Sequence, residues 1–91
     1  MAIAIRDGVR YRFRYAFDGP SIHVVRYELE SNPSQWMYYV QERGHEDEME
    51  LDGEDAALLA AAIRDFESGE VSALAVEGLV AAWFRELRGR E

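Results

Sequence analysis

The stretch VRYRFRYAF, residues 9–17, decides how this chain folds. Its arginines and aromatics alternate with period two, the spacing of a β-strand whose side chains project to opposite faces. One face of that strand is cationic and the other aromatic, so the architecture turns on which face is buried. The preceding Asp7-Gly8 is a hairpin signal that pairs the strand with AIAI, residues 2–5. A two-residue turn would set Ile5 opposite Arg10. A three-residue turn with a left-handed Gly8 sets Ile5 opposite Val9 and Ile3 opposite Tyr11, and this apolar-to-apolar arrangement is the one expected.

On its other side the strand leads through Asp18-Gly19-Pro20-Ser21 into a third strand over about residues 22–30. Placing Phe17 opposite His23 sets Tyr15 by Val25, Phe13 by Tyr27 and Tyr11 by Leu29. The same register aligns Arg12 with Glu28, Arg10 with Glu30 and Arg14 with Arg26, whereas a one-residue slip would oppose Phe13 to Arg26. The aromatics of residues 9–17 are therefore expected inward and the arginines outward. A fourth strand, QWMYYVQER, follows the turn Asn32-Pro33-Ser34, with Trp36, Tyr38 and Val40 inward and Met37 and Tyr39 outward. A short fifth, EMEL over 48–51, returns after Gly44.

Beyond Asp52 the period changes to that of helices. Asp52 reads as an N-cap with Glu54 and Asp55 in the first turn. Leu59, Ile63 and Phe66 form one apolar stripe, and Gly69 ends the helix. A second helix over about 71–88 carries Val76, Val80, Trp83, Phe84 and Leu87. Eleven of the fourteen residues in 71–84 are apolar, more than a single stripe requires. The excess makes Val80, Trp83, Phe84 and Leu87 a candidate homodimer surface, with plain core the favoured reading of Trp83 and Phe84. The expected fold is α+β: one domain, 1–91, in which an antiparallel four- to five-stranded meander (1–51) is followed by a C-terminal two-helix hairpin (52–91) packed on one face.

Composition narrows the function. The 91 residues are 48% apolar and 31% charged, a globular balance. There is no cysteine, lysine or threonine, so thiolate, Schiff-base and phosphate-loop lysine chemistries lack their residues. The apolar run at 71–84 is too short to span a bilayer, and MAIAIRDG is no signal peptide. A cytoplasmic protein without a membrane partner is expected. His23 and His45, with Asp18 and Glu46, are metal-ligand types that a meander brings to one end, but their spacing matches no metal motif. No metal or cofactor is expected. Ser21 is the only serine near a histidine and stands in no nucleophile elbow. A non-enzymatic protein is the reading.

The net charge is −8 but divided. Residues 1–26 hold five arginines against two aspartates, while residues 27–91 hold five arginines against sixteen acids. Two poles favour oriented encounter with a charged partner. Arg10, Arg12, Arg14, Arg26 and Tyr39 form the candidate sheet face, of residue types enriched in binding hot spots. Glu46, Asp47, Glu48 and Glu50 form an acidic turn suited to a protein with a basic surface. Both point to a protein-interaction module, in the physical profile of a small acidic inhibitor of a nucleic-acid-handling protein such as mobile elements make. The alternative is single-stranded nucleic-acid binding through the arginine and aromatic face.

Overall fold

Asp7 and Gly8 both take positive φ, 53° and 78°, and so form the two-residue turn that matches the right-handed twist of paired strands. The computed structural model, which describes residues 2–44 and 47–89, thus pairs β1 (Ala2–Arg6) with β2 (Val9–Asp18) so that Ile5 faces Arg10 and Ile3 faces Arg12. The expected three-residue turn is corrected. Twist compatibility of an Asp-Gly turn outweighs apolar matching on a ribbon whose Ile5 stays 65% exposed.

The sheet continues through β3 (Ile22–Leu29), β4 (Asn32–Glu42) and β5 (Glu48–Leu51) as an antiparallel meander in the order β1-β2-β3-β4-β5. The β3–β4 turn is Glu30-Ser31, so Asn32 already pairs with Leu29, and Pro33 to Gln35 lie in an irregularity before Trp36 meets Glu28. That removes the expected turn at Asn32-Pro33-Ser34. An irregular stretch tolerates Pro33, which has no N–H to give to a ladder. Two helices follow, α1 (Gly53–Glu67) and α2 (Ala73–Gly89), completing the α+β architecture. Gly69, at φ 82°, lies just past the first helix.

A bulge decides the faces. The register runs as expected from Tyr11↔Leu29 to Tyr15↔Val25, but Phe17 then pairs with Val24 instead of His23. Ala16 is the extra residue, and it moves Phe17 to the opposite face from Tyr11, Phe13 and Tyr15. The buried core contains Phe17, Ile22, Val24, Tyr38, Val40 and Leu51 from the sheet, with Ala56, Leu59, Ile63, Val76, Val80 and Phe84 from the helices. The inward assignment of Trp36, Tyr38 and Val40 holds. That of Tyr11, Phe13 and Tyr15 is corrected: they share the helix-free face with Tyr27, Met37 and Tyr39. Arg10, Arg12, Arg14 and Arg26 instead share the helix-bearing face.

The sheet is also strongly curled. In a flat sheet the outer two of five strands stand about 19 Å apart, beyond the joint reach of two side chains. Yet Arg6 of β1 pairs with Glu50 of β5, and its guanidinium lies over the ring of Tyr27 on β3. The tyrosine face is therefore concave, and Val25 on it is only 8% exposed.

At one end of the sheet, α2 delivers a buried carboxylate, Glu77, whose Oε1 accepts the backbone N–H of Ser21 at 2.9 Å. This bond ties the second helix to the β2–β3 turn. No helix among the described residues is long and apolar enough to cross a membrane.

Candidate interaction surfaces

The helices cover β3 to β5 and the Phe17 end of β2, leaving the rest of the β1–β2 ribbon outside their layer. Arg10, Arg12 and Arg14 follow one another along the uncovered part. Arg10 donates to Glu30 at 2.7 Å. Arg26 is half-buried, donates to Glu28 at 3.0 Å and stacks 4.0 Å above the Trp36 ring. Glu28, the cross-strand neighbour of Arg12, is thus engaged by Arg26. Arg14 directly faces Arg26, and like charges in that position repel.

A groove of about 520 Å³ runs between this row and α1, lined by Arg14, Arg26, Trp36, Ala60, Arg64 and Glu67 among others. Among the described residues neither Arg14 nor Arg64 has a carboxylate partner. The site residue that sequence reasoning missed is Arg64. Its signal was the helical spacing Ala57, Ala60, Arg64, Glu67, a small-residue stripe ending in charges. Beside the groove, β1 is an edge strand. In a two-residue hairpin the residues flanking the turn exchange both backbone bonds, which leaves Ile3 and Ile5 with N–H and C=O directed outward.

The opposite, concave face holds the tyrosines. Tyr27 is ringed by Tyr11 and Tyr39, perpendicular to it at centroid distances of 6.3 and 6.4 Å, and by Phe13 at 5.5 Å. Tyr39, expected beside the arginines, therefore belongs to a different surface. Its hydroxyl donates to the Glu48 carboxylate. That bond, with partial burial and the nearby negative charge, pushes the phenol up to about 12.

A tyrosine whose folded pKa exceeds its unfolded value of about 10 contributes stability that is complete below pH 10. It is lost as pH rises through about 12. The difference between alkaline absorbance titrations of the wild type and Tyr39→Phe should show one phenol ionising near 12. Glu48→Gln should return it toward about 10. A Tyr39 that titrates normally in the wild type would remove the bond.

The acidic turn is largely occupied from within. Asp47 receives Arg88 of α2 at 2.6 Å, Glu48 receives Tyr39 and Gln41, and Glu50 receives Arg6. Glu46 and His45 lie outside the described residues. His23 shares a 2.6 Å hydrogen bond with Gln41, and Asp18 pairs with Arg43. Among the described residues no group of three metal-ligating side chains forms.

The candidate dimer helix divides. Val80 and Phe84 are fully buried in the chain's own core, the plain-core placement already expected for Phe84, while Trp83 is half-buried and Leu87 is 41% exposed. The apolar excess of the helix is mostly alanine, whose small side chains can face water, together with exposed Leu74.

No protein-family model, curated protein or solved structure matches this chain, so a functional reading rests on its own geometry.

Proposed function

We propose that this chain is a non-catalytic protein-interaction module that receives an extended acidic segment of a partner along β1 and the arginine groove. The observation that supports it most directly is the convergence of Arg14, Arg26 and Arg64, from two strands and a helix, on one groove in a protein of net charge −8. Arg14 and Arg26 repel, and a carboxylate between them and Arg64 would relieve the repulsion with charge-assisted bonds. The free edge beside them offers backbone pairing to an added strand, while Ile3 and Ile5 offer apolar contact. Remote acids do not cancel this site, because physiological salt screens exposed charges beyond about 8 Å.

The nucleic-acid alternative is less well supported. Stacking on a sheet requires aromatics and cations on one face, and here the tyrosines and the arginine row lie on opposite faces. A phosphate-mimicking acidic turn is less well supported too, with Asp47, Glu48 and Glu50 already engaged.

Tagged wild-type chain, cross-linked and purified from its source cells, should retain a protein whose cross-links map to β1 and α1. The double reversal Arg14→Glu, Arg64→Glu should reduce its recovery at least tenfold. Hot-spot arginines are worth about 1–2 kcal/mol or more each, and 1.4 kcal/mol is a factor of ten. Recovery unchanged by the reversal would overturn the surface. A cross-linked second copy of this chain would replace the heterologous partner with a homodimer.

A further inference from the structure

The concave tyrosine face gathers rings, carboxylates and one guanidinium at a place separate from the arginine groove. Around Tyr27 the Tyr11 and Tyr39 rings stand at 87° and 88°, one on each neighbouring strand. Of these rings, Tyr27 and Tyr39 line an opening shared with Arg6, Glu48 and Glu50. Above the Tyr27 ring lies the Arg6 guanidinium, its central carbon 6.0 Å from the centroid. The same guanidinium is held by the Glu50 carboxylate, and Glu48 lines the opening. Aromatic faces carry negative quadrupoles, so a ring face next to two carboxylates selects a cation.

Arg6 fills this place incompletely. A distance of 6.0 Å is at the outer limit of an effective cation–π contact, and a shallow, solvent-open depression of about 650 Å³ lies among Arg6, Tyr27, Tyr39, Glu48, Met49 and Glu50. Its tether is also weak. The side chains of Arg6 and Glu50 are 41% and 46% exposed, and ion pairs at such exposure hold little. Arg6 stands at the end of an edge strand, next to the turn, so its side chain can leave without unpacking the core.

We propose that this pocket is a receptor for an arginine side chain of a partner protein, with Arg6 as the intramolecular occupant that the incoming guanidinium displaces. The resident group argues for the ligand class: a planar guanidinium donates to Glu50 while lying over a ring, which a compact ammonium does less well. The site is separate from the arginine groove in position and in sign. It can stand or fall whether or not an acidic partner binds there.

The test uses the purified full chain and N-acetyl-arginine methylamide, followed by ring and methyl NMR signals. With Arg6→Gln, which keeps length but removes charge, the probe should shift the Tyr27 and Tyr39 rings saturably. Its affinity should be about twofold to fivefold higher than in the wild type, the gain expected when an exposed ion pair no longer competes. Adding Glu50→Gln to that variant should weaken binding at least tenfold, and N-acetyl-glutamate methylamide should cause no saturable shift. Core methyls of Val24 and Val40 should remain in place throughout, reporting an intact fold. Arg6→Ala serves as a second vacated pocket if Arg6→Gln loses those signals. The proposal is overturned if a folded vacated variant gives no saturable shift, binds no more tightly than the wild type, or is indifferent to Glu50→Gln.

Discussion

Truncating Phe84 to alanine should destabilise the fold by about 3–5 kcal/mol and leave the mass of the particle in solution unchanged. Phe84 has no exposed surface, and it packs in the cluster that joins α2 to the sheet through Val40 and Tyr38 and to α1 through Leu59. Its outer side is closed by Arg88, whose guanidinium lies 5.7 Å from the ring centroid while bonding Asp47 and Glu42. Neighbours held this way cannot collapse freely into the space, so the cavity term adds to the lost transfer energy. Domains of this kind have about 5–15 kcal/mol in total, and the variant should unfold at a much lower urea concentration. Leu87→Ala, at an exposed position, should stay within about 1 kcal/mol. Urea titration with light scattering reads both quantities. A loss under about 1 kcal/mol, accompanied by dissociation of a wild-type dimer, would instead make Phe84 an interface residue.

The same residue shows where sequence reading reaches its limit. Val76, Val80 and Phe84 share a stripe at helical spacing, and that stripe is the buried one. What the pattern could not show is that Ala75, Ala81 and Ala82 count as apolar while facing water. Element order, the Asp52 boundary, the inward Trp36-Tyr38-Val40 row and the register from Tyr11 to Tyr15 were all legible from alternation. The faces of β2 were not. Strict alternation carries Phe17 and Tyr15 to one side, and the bulge at Ala16 breaks it within one residue. The only local trace is a lone alanine between aromatics.

The candidate site was legible in part for the same reason. Arg14 and Arg26 face each other as the register requires, whereas Arg64 arrives from α1 and Arg6 reaches Tyr27 only because the sheet curls. Curvature is a collective property of five strands and leaves no mark at any one residue. Glu77 is the converse case. In sequence it merely interrupts an apolar run, yet it is the one charged side chain among the described residues that packs as deeply as the core.

That buried carboxylate leads to the second large effect. Gly19→Ala should destabilise the chain by about 1–3 kcal/mol, and removing Glu77 should relieve much of the cost. A Cβ built at Gly19 would lie 2.5 Å from Glu77 Oε1 and 2.7 Å from Phe17 Cε1. Neither obstacle yields readily. Glu77 is held by the Ser21 N–H, and Phe17 is wedged against Phe66 at 5.4 Å. Glu77→Ala alone should cost about 1–3 kcal/mol, since the Ser21 N–H loses its acceptor, whereas Glu77→Gln keeps an oxygen there and should cost less. In the double variant the methyl introduced at position 19 enters space vacated by the carboxylate. The two losses should then fall short of additivity by about 1 kcal/mol or more, as expected for residues that compete for one volume. Strict additivity in urea titrations would mean that the new methyl is accommodated by the turn and that Glu77 plays no part in requiring glycine. A coupling of the expected sign would identify the contact between α2 and the β2–β3 turn as the clasp that holds the helical layer to this end of the sheet. The arginine ribbon would then project from the opposite edge of a layer anchored at Glu77.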